Sequence, residues 1–402
     1  MKKKICITYY SFPHLGGISS IIDDLWEYLN TGHETHIFVY RSEGDISKYN
    51  NFIHVCRKRA KASPFIFPFI WFYLLFMTYN LWKLNRKCRF DLILPQDGFC
   101  SGFFSLFVGK LTRTKVVIMD HGTTTNILDP AWEKMMREVF SPKWKARIRK
   151  ILFPLSKISF RLIIKLVTSQ GEEFLFYGKE LENYYSRKGV PSFKLKKYSH
   201  LVNTDWFKTL SLTEREEQRR AWGISNSITL INMVTRLDEE KGLEYTLPSL
   251  EKMKDLADNF LVLIAGEGRR RKSLEKYLET HQMGSYVRLL GPLDREEVKK
   301  LMQISDLHLY AGTVGCSVSI ALLEAMACGC ASIVTTAPEM HRYIVTPEMG
   351  WVIPPKDIDA LTSSLLQALR NREKLREMGK NARKYIEEKH SFKVAGRHFN
   401  FF

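Results

Sequence analysis

What the sequence lacks narrows it first. Its 402 residues include seven cysteines, an odd number, and no Cys-x-x-Cys pair. Cys328 and Cys330 are separated by a single residue, which suits neither a zinc site nor a redox dithiol. A disulfide scaffold is therefore excluded, and a reduced cytosolic protein is expected. Behind Lys2, Lys3 and Lys4 the apolar run from Ile5 to Ile7 is too short for a secretory signal. No internal repeat and no low-complexity tract interrupts the chain. Apolar residues at 45% and charged residues at 26% rule out disordered and collagen-like classes.

Acid is missing too, but only locally. From Arg57 to Phe90 there are eight Lys and Arg and no Asp or Glu. From Val139 to Gly171 there are eight more, again without acid. These two spans hold nearly all of the formal net charge of +18. Two local basic surfaces point to an anionic partner. Large aliphatic and aromatic residues interleave the cations, so an anionic membrane surface is expected and nucleic acid is not.

The stretch from Ala62 to Trp82 carries no charge, and its length matches the ~20 apolar residues that span a bilayer. A single crossing would put the strand expected at Ile5–Tyr10 and the one at Leu92–Pro95 on opposite sides of a membrane. Those strands should share a sheet, so either an interfacial helix or a buried core helix fits better. Lys143 to Lys165 reads as a basic amphipathic helix, which strengthens the interfacial reading.

Strand, turn and helix alternate from the start. Ile5–Tyr10 is short and β-prone, Pro13 to Gly17 is a turn, and Ile18, Ile21, Ile22, Leu25 and Leu29 recur at helical spacing. The same order restarts at Ile228–Val234 and continues through strands at Phe260–Ala265, Val287–Leu290, Leu307–Tyr310 and Ala331–Val334. Two parallel α/β domains are expected, joined somewhere near Asn203 to Asn226.

Several residues suit anion chemistry. Gly16 and Gly17 stand between a strand and a helix, where bare N–H groups can meet a phosphate, although a tight turn explains them equally well. Arg236 and Lys241 lie in a loop at the carboxyl end of a strand, the edge where open α/β sheets bind ligands, and two cations there can clamp a diphosphate. Glu324 follows a small-residue loop, Ala311 to Ser317, and its carboxylate can take two vicinal hydroxyls. Asp357-Ile358-Asp359 follows two prolines and precedes a helix, so helix capping is its reading, not metal binding.

From Ile228 onward the chain resembles the retaining glycosyltransferases of family 4. The strings that carry the resemblance are Thr235-Arg236-Leu237 with Lys241-Gly242, Ala265-Gly266-Glu267-Gly268, Leu290-Gly291-Pro292-Leu293, Leu323-Glu324-Ala325-Met326-Ala327-Cys328-Gly329 and Gly350-Trp351-Val352-Ile353-Pro354-Pro355. The resemblance implies the GT-B architecture, two Rossmann-like doubly wound domains facing a central cleft. It divides the chain into an acceptor-side domain (1–205), a nucleotide-sugar-binding domain (206–375) and a C-terminal helix (376–402) crossing back to the first domain.

The resemblance also implies roles. The donor is a nucleoside-diphosphate sugar and the acceptor a lipid-linked or cell-envelope glycan, at the cytoplasmic membrane face. Arg236 and Lys241 hold the departing diphosphate, and no metal or other cofactor is expected. Glu324 holds the ribose, the backbone around Gly291 to Leu293 meets the base, and Gly266, Ser317 and Val318 complete the donor site. Gly16 and Gly17 contact phosphate, and His121 faces the sugar. One departure stands out: the family usually has a second Glu eight positions before Glu324, and here that position is Cys316. A non-catalytic nucleotide-sugar-binding relative and a nucleotide-sugar epimerase are the alternative readings.

Overall fold

The computed structural model describes residues 2–13, 16–57, 68–122, 143–254, 256, 259–314, 318–338 and 341–399, with the backbone alone over 143–153. The chain divides into two compact units between Tyr198 and Ser199. The division falls earlier than residue 205 because the segment after Tyr198 is bonded into the second unit. Val202 N–H donates to the His390 carbonyl at 2.8 Å, and the Arg383 guanidinium binds the carbonyls of Thr204 and Phe207. Residues to the C-terminus group with this unit as well.

The first unit runs β1 (Lys4–Ser11), α1 (Gly17–Asn30), β2 (Glu34–Arg41), β3 (Ile53–Val55), α2 (Phe69–Cys88), β4 (Leu92–Pro95), α3 (Cys100–Thr112), β5 (Lys115–Asp120), α4 (Lys143–Gln170), β6 (Glu173–Phe176), α5 (Lys179–Arg187) and β7 (Leu195–Lys197). Its seven parallel strands lie in the order β3-β2-β1-β4-β5-β6-β7. The central strands are apolar without interruption because both faces are covered: Ile5, Ile7, Leu92 and Leu94 are fully buried. β1 pairs with β4, Ile5 opposite Leu92, so the premise that argued against a membrane crossing holds.

Of the uncharged stretch, residues 62–67 lie outside the described residues and the rest falls mostly on α2. That helix is divided lengthwise. Ile70, Tyr73, Leu74, Met77, Leu81 and Asn85 are buried, while Phe69, Phe72, Leu75, Phe76 and Tyr79 face outward. Asn85 fixes its end, donating to Thr112 and Thr114 and accepting from the Phe90 N–H. Among the described residues no helix is long and apolar enough to cross a membrane.

The second unit runs α6 (Leu212–Ala221), β8 (Thr229–Val234), α7 (Leu243–Met253), β9 (Phe260–Ala265), α8 (Arg271–Thr280), β10 (Val287–Gly291), α9 (Arg295–Ile304), β11 (Leu307–Tyr310), α10 (Ile320–Ala327), β12 (Ala331–Thr335), α11 (His341–Ile344), β13 (Gly350–Ile353), α12 (Ile358–Arg370), α13 (Arg372–Lys389) and α14 (Phe392–Ala395). Its six parallel strands are ordered β10-β9-β8-β11-β12-β13. Asp357 caps α12 by accepting the Ala360 N–H at 2.9 Å, as its sequence context indicated. α6 is pinned to the sheet by a buried ion cluster. Asp306 accepts from Arg219 at 2.8 Å, from Arg215 at 2.7 Å and from the Leu230 N–H at 2.8 Å.

Burial holds five histidines neutral in the fold. It lowers His54, His341 and His390 from 6.5 to about 4, and His121 and His308 to about 3. In the unfolded chain these rings take up protons near pH 6.5, so below that pH the unfolded state binds more protons. Each histidine then removes up to ~1.4 kcal/mol of stability per pH unit until its folded form also protonates. The unfolding temperature should fall continuously from pH 7 to pH 4.5 in differential scanning calorimetry; a flat profile there would contradict this burial.

Candidate active site

In the second sheet the chain leaves β8 for β9 and β10, then returns to β11 on the other side of β8. β8 and β11 therefore flank the switch point, outside whose carboxyl ends a doubly wound sheet opens a crevice. The two segments that line it, 235–242 and 311–314, are laced together. Thr313 N–H donates to the Glu240 carbonyl at 2.9 Å, and Thr335 Oγ1 donates to the Gly312 carbonyl at 2.6 Å. Gly242 has φ +70°, and a Cβ there would be driven into the Ala311 carbonyl.

Lys241 sits in this crevice, half-buried, with its ammonium 5.9 Å from the Tyr310 ring centroid. Burial pushes its pKa down, and the Arg236 charge adds to the effect. Among the described residues no carboxylate lies within ion-pair distance of it. Arg236 is held differently, by Asp238 at 2.7 Å and Glu240 at 2.6 Å, with about half its side chain exposed. One partly dehydrated cation beside one carboxylate-bridled cation is a site that an incoming polyanion would stabilise.

The other expected donor residues that are described lie after β9, at and after the end of β10, and just before and within α10. Gly266 has φ +142° and donates its N–H to the Gly291 carbonyl at 2.7 Å, so its visible task is close packing against the Thr235 carbonyl. Gly291 ends β10 beside the Arg271 guanidinium, which pairs with Glu267 and Glu275. Leu293 packs on the cluster containing Leu230 and Leu263. Val318 is buried just before α10, and Glu324 is buried within that helix. Ser317 and Cys316 lie outside the described residues.

Two residues escaped the sequence reading. Tyr310 is the aromatic floor beneath Lys241. His341 is fully buried, its Nδ1 donating to the Thr335 carbonyl at 3.0 Å and its Nε2 accepting the Ser319 N–H at 3.4 Å, so it ties the head of α10 to β12. An aromatic residue closing a strand was a visible signal for Tyr310; nothing in the sequence marked His341.

In the first unit the switch point lies between β1 and β4. Gly16 is the N-cap of α1, and Gly17 its first residue, with no side-chain cap and no acid in the first turn, which leaves the helix head electropositive. His121 follows β5. Gln96 Nε2 donates to the Leu94 carbonyl, so Gln96 Oε1 faces the ring and accepts from His121 Nε2 at 2.9 Å. Tyr198 OH donates to His121 Nδ1 at 2.7 Å. Both ring nitrogens are engaged and the ring is neutral. The pH–rate profile should show no ionisation from His121 between pH 5 and 8, and its imidazole resonances should not titrate in that interval by NMR.

Two doubly wound parallel units, with Arg236 and Lys241 in the loop at the switch point of the second, define the class: this is the GT-B architecture of sugar-transferring enzymes. Residues 214–385 match the family Glycosyl transferases group 1. An uncharacterised glycosyltransferase of Methanocaldococcus jannaschii is 22% identical over 415 residues, covering 99% of this chain and 97% of the relative. HepE of Anabaena, solved with UDP and glucose, superimposes with a TM-score of 0.77 at 15% identity, over 99% of this chain and 98% of that one. WaaG, a glycosyltransferase involved in lipopolysaccharide biosynthesis, gives 0.73 at 16% identity over 98% of each chain. The chain carries a group 1 glycosyltransferase (family 4) domain over residues 214–385. It is an enzyme that takes its sugar from a nucleotide sugar.

Proposed function

We propose that this enzyme is a retaining transferase that moves a hexose-type sugar from a nucleoside diphosphate to a lipid-linked or cell-envelope glycan, as a peripheral protein on the cytoplasmic face of the membrane. The half-buried Lys241, which has no carboxylate partner among the described residues and stands beside Arg236, carries the donor half of this reading. Glycosyl transfer passes through an oxocarbenium-like state while the leaving diphosphate gains charge. Fixed cations aimed at that charge are the largest expected catalytic contribution. Lys241 and Arg236 serve there, with Arg236 exchanging Asp238 and Glu240 for phosphate oxygens.

Glu324 takes the ribose hydroxyls, the backbone from Gly291 to Leu293 meets the base, and Gly266, Ser317 and Val318 shape the loops around them. In the first unit the head of α1 at Gly16 and Gly17 is assigned to phosphate. His121, a neutral ring in a fixed tautomer, is assigned to the sugar as a positioning group, not as a titrating base. The likeness to HepE makes a uridine nucleotide the first donor to test, and the likeness to WaaG supports an envelope acceptor.

A thermal-shift screen of nucleoside diphosphates tests the donor site, since a ligand that binds only the native state at 100 times its Kd adds about 2.7 kcal/mol. One nucleotide should raise the unfolding temperature by several degrees, and Arg236→Ala should abolish the shift. No shift with any nucleotide would remove the proposal.

A further inference from the structure

We propose that α2, α3 and α4 of the first unit form a single docking face for an anionic lipid bilayer, with aromatic and aliphatic side chains entering the interface and a rim of Lys and Arg meeting lipid phosphates. This deepens the membrane-side reading above by naming the surface and its partner, and it is tested apart from sugar transfer.

The three helices are one layer. Trp71 Nε1 donates to Ser159 Oγ at 3.1 Å, joining α2 to α4, and the Trp71 and Phe103 rings meet at 6.1 Å, joining α2 to α3. Their inner faces share a buried core of Tyr73, Met77, Phe104, Phe160 and Ile164. Their outer faces are apolar as well. Phe69, Phe72, Phe76 and Tyr79 follow helical spacing on α2, with Leu75 beside them; Phe107 and Leu111 do so on α3, and Leu155, Ile158 and Leu162 on α4. Phe72 is 67% exposed, Leu75 68%, Leu111 68% and Ile158 60%. Large exposed apolar patches on a folded protein mark interaction sites.

Charge identifies the occupant. The three helices carry twelve Lys and Arg and no Asp or Glu. Arg86 stacks on Trp82 at 5.1 Å and Arg57 on Phe76 at 5.8 Å, so cations border the apolar residues directly. Long basic side chains over an apolar strip suit the headgroup boundary, where the stem stays in apolar surroundings and the charge reaches phosphate. A second copy would bring two purely cationic faces together. A nucleic acid would leave the aliphatic strip without a partner.

The test is co-sedimentation of the full chain with vesicles of phosphatidylcholine mixed with phosphatidylglycerol, against phosphatidylcholine alone. The chain should partition into the mixed vesicles and be weakened by salt. Combining Phe72→Ser, Leu75→Ser and Ile158→Ser should lower partitioning roughly tenfold or more. Combining Lys157→Gln, Arg161→Gln and Lys165→Gln should cost the preference for anionic vesicles roughly tenfold or more. Retention of the nucleotide-induced thermal shift shows that each variant is folded. Equal binding of parent and apolar variant, indifference to lipid charge, or a parent dimer by light scattering that the apolar variant dissociates would each overturn the proposal. Failure of the enzyme reading looks different: vesicle binding intact, nucleotide-sugar turnover absent.

Discussion

Lys241→Ala is expected to lower turnover of the nucleotide sugar by roughly 10²–10³-fold, the effect of removing one preorganised group that meets developing charge. The same change should not destabilise the free enzyme. A half-buried ammonium with no described carboxylate partner costs folding free energy, so Lys241→Met should raise the unfolding temperature while abolishing turnover. That opposition separates a catalytic lysine from a structural one, whose loss would lower both. Nucleoside-diphosphate release, read beside calorimetry on the same sample, decides it. Unchanged turnover in Lys241→Met would place the diphosphate elsewhere.

The largest expected stability effect lies away from the site. Asp306→Ala leaves the Arg219 guanidinium buried without a counter-charge, their side chains being only 1% and 5% exposed in the parent. Breaking one side of such a buried pair costs about 3–5 kcal/mol. Combining Asp306→Leu with Arg219→Met should recover only part of that loss: the apolar pair avoids the desolvation of both charges, but Arg215 and the Leu230 N–H still lose their acceptor. Urea unfolding followed by tryptophan fluorescence, with Trp222 packed on the apolar cluster of Leu230 and Ile304, reports it. A cost below about 1 kcal/mol for Asp306→Ala would mean that water reaches the pair.

Much of this was legible in the sequence. Phe260–Ala265 is apolar for its whole length because helices cover both faces, and Gly266 ends the run, so its limits were readable. The loops at the carboxyl ends of β8 and β11 were readable because small residues and paired cations cluster there. Less was visible where tertiary context decides. Ile53–Val55 and Leu195–Lys197 are three-residue edge strands, too short for any periodicity to register. The charge-free stretch left interface and core open because α2 serves the core with one side and is bare on the other, and composition does not separate two stripes on one helix. Asp306 and Arg219 are 87 residues apart and meet only through the sheet. His121 was read as facing substrate; its commitment to Gln96 and Tyr198 depends on side-chain orientation, which no motif encodes.

The cysteines carry one more consequence. Cys6, Cys100, Cys328 and Cys330 are buried and Cys56 and Cys88 partly so, and burial raises the pKa of all six thiols. Maleimides and disulfide reagents attack the thiolate, so these six should label slowly. Any rapidly modified thiol would by elimination be Cys316. A fluorophore could then be attached at one native position, with no mutation introduced and the natural background nearly silent.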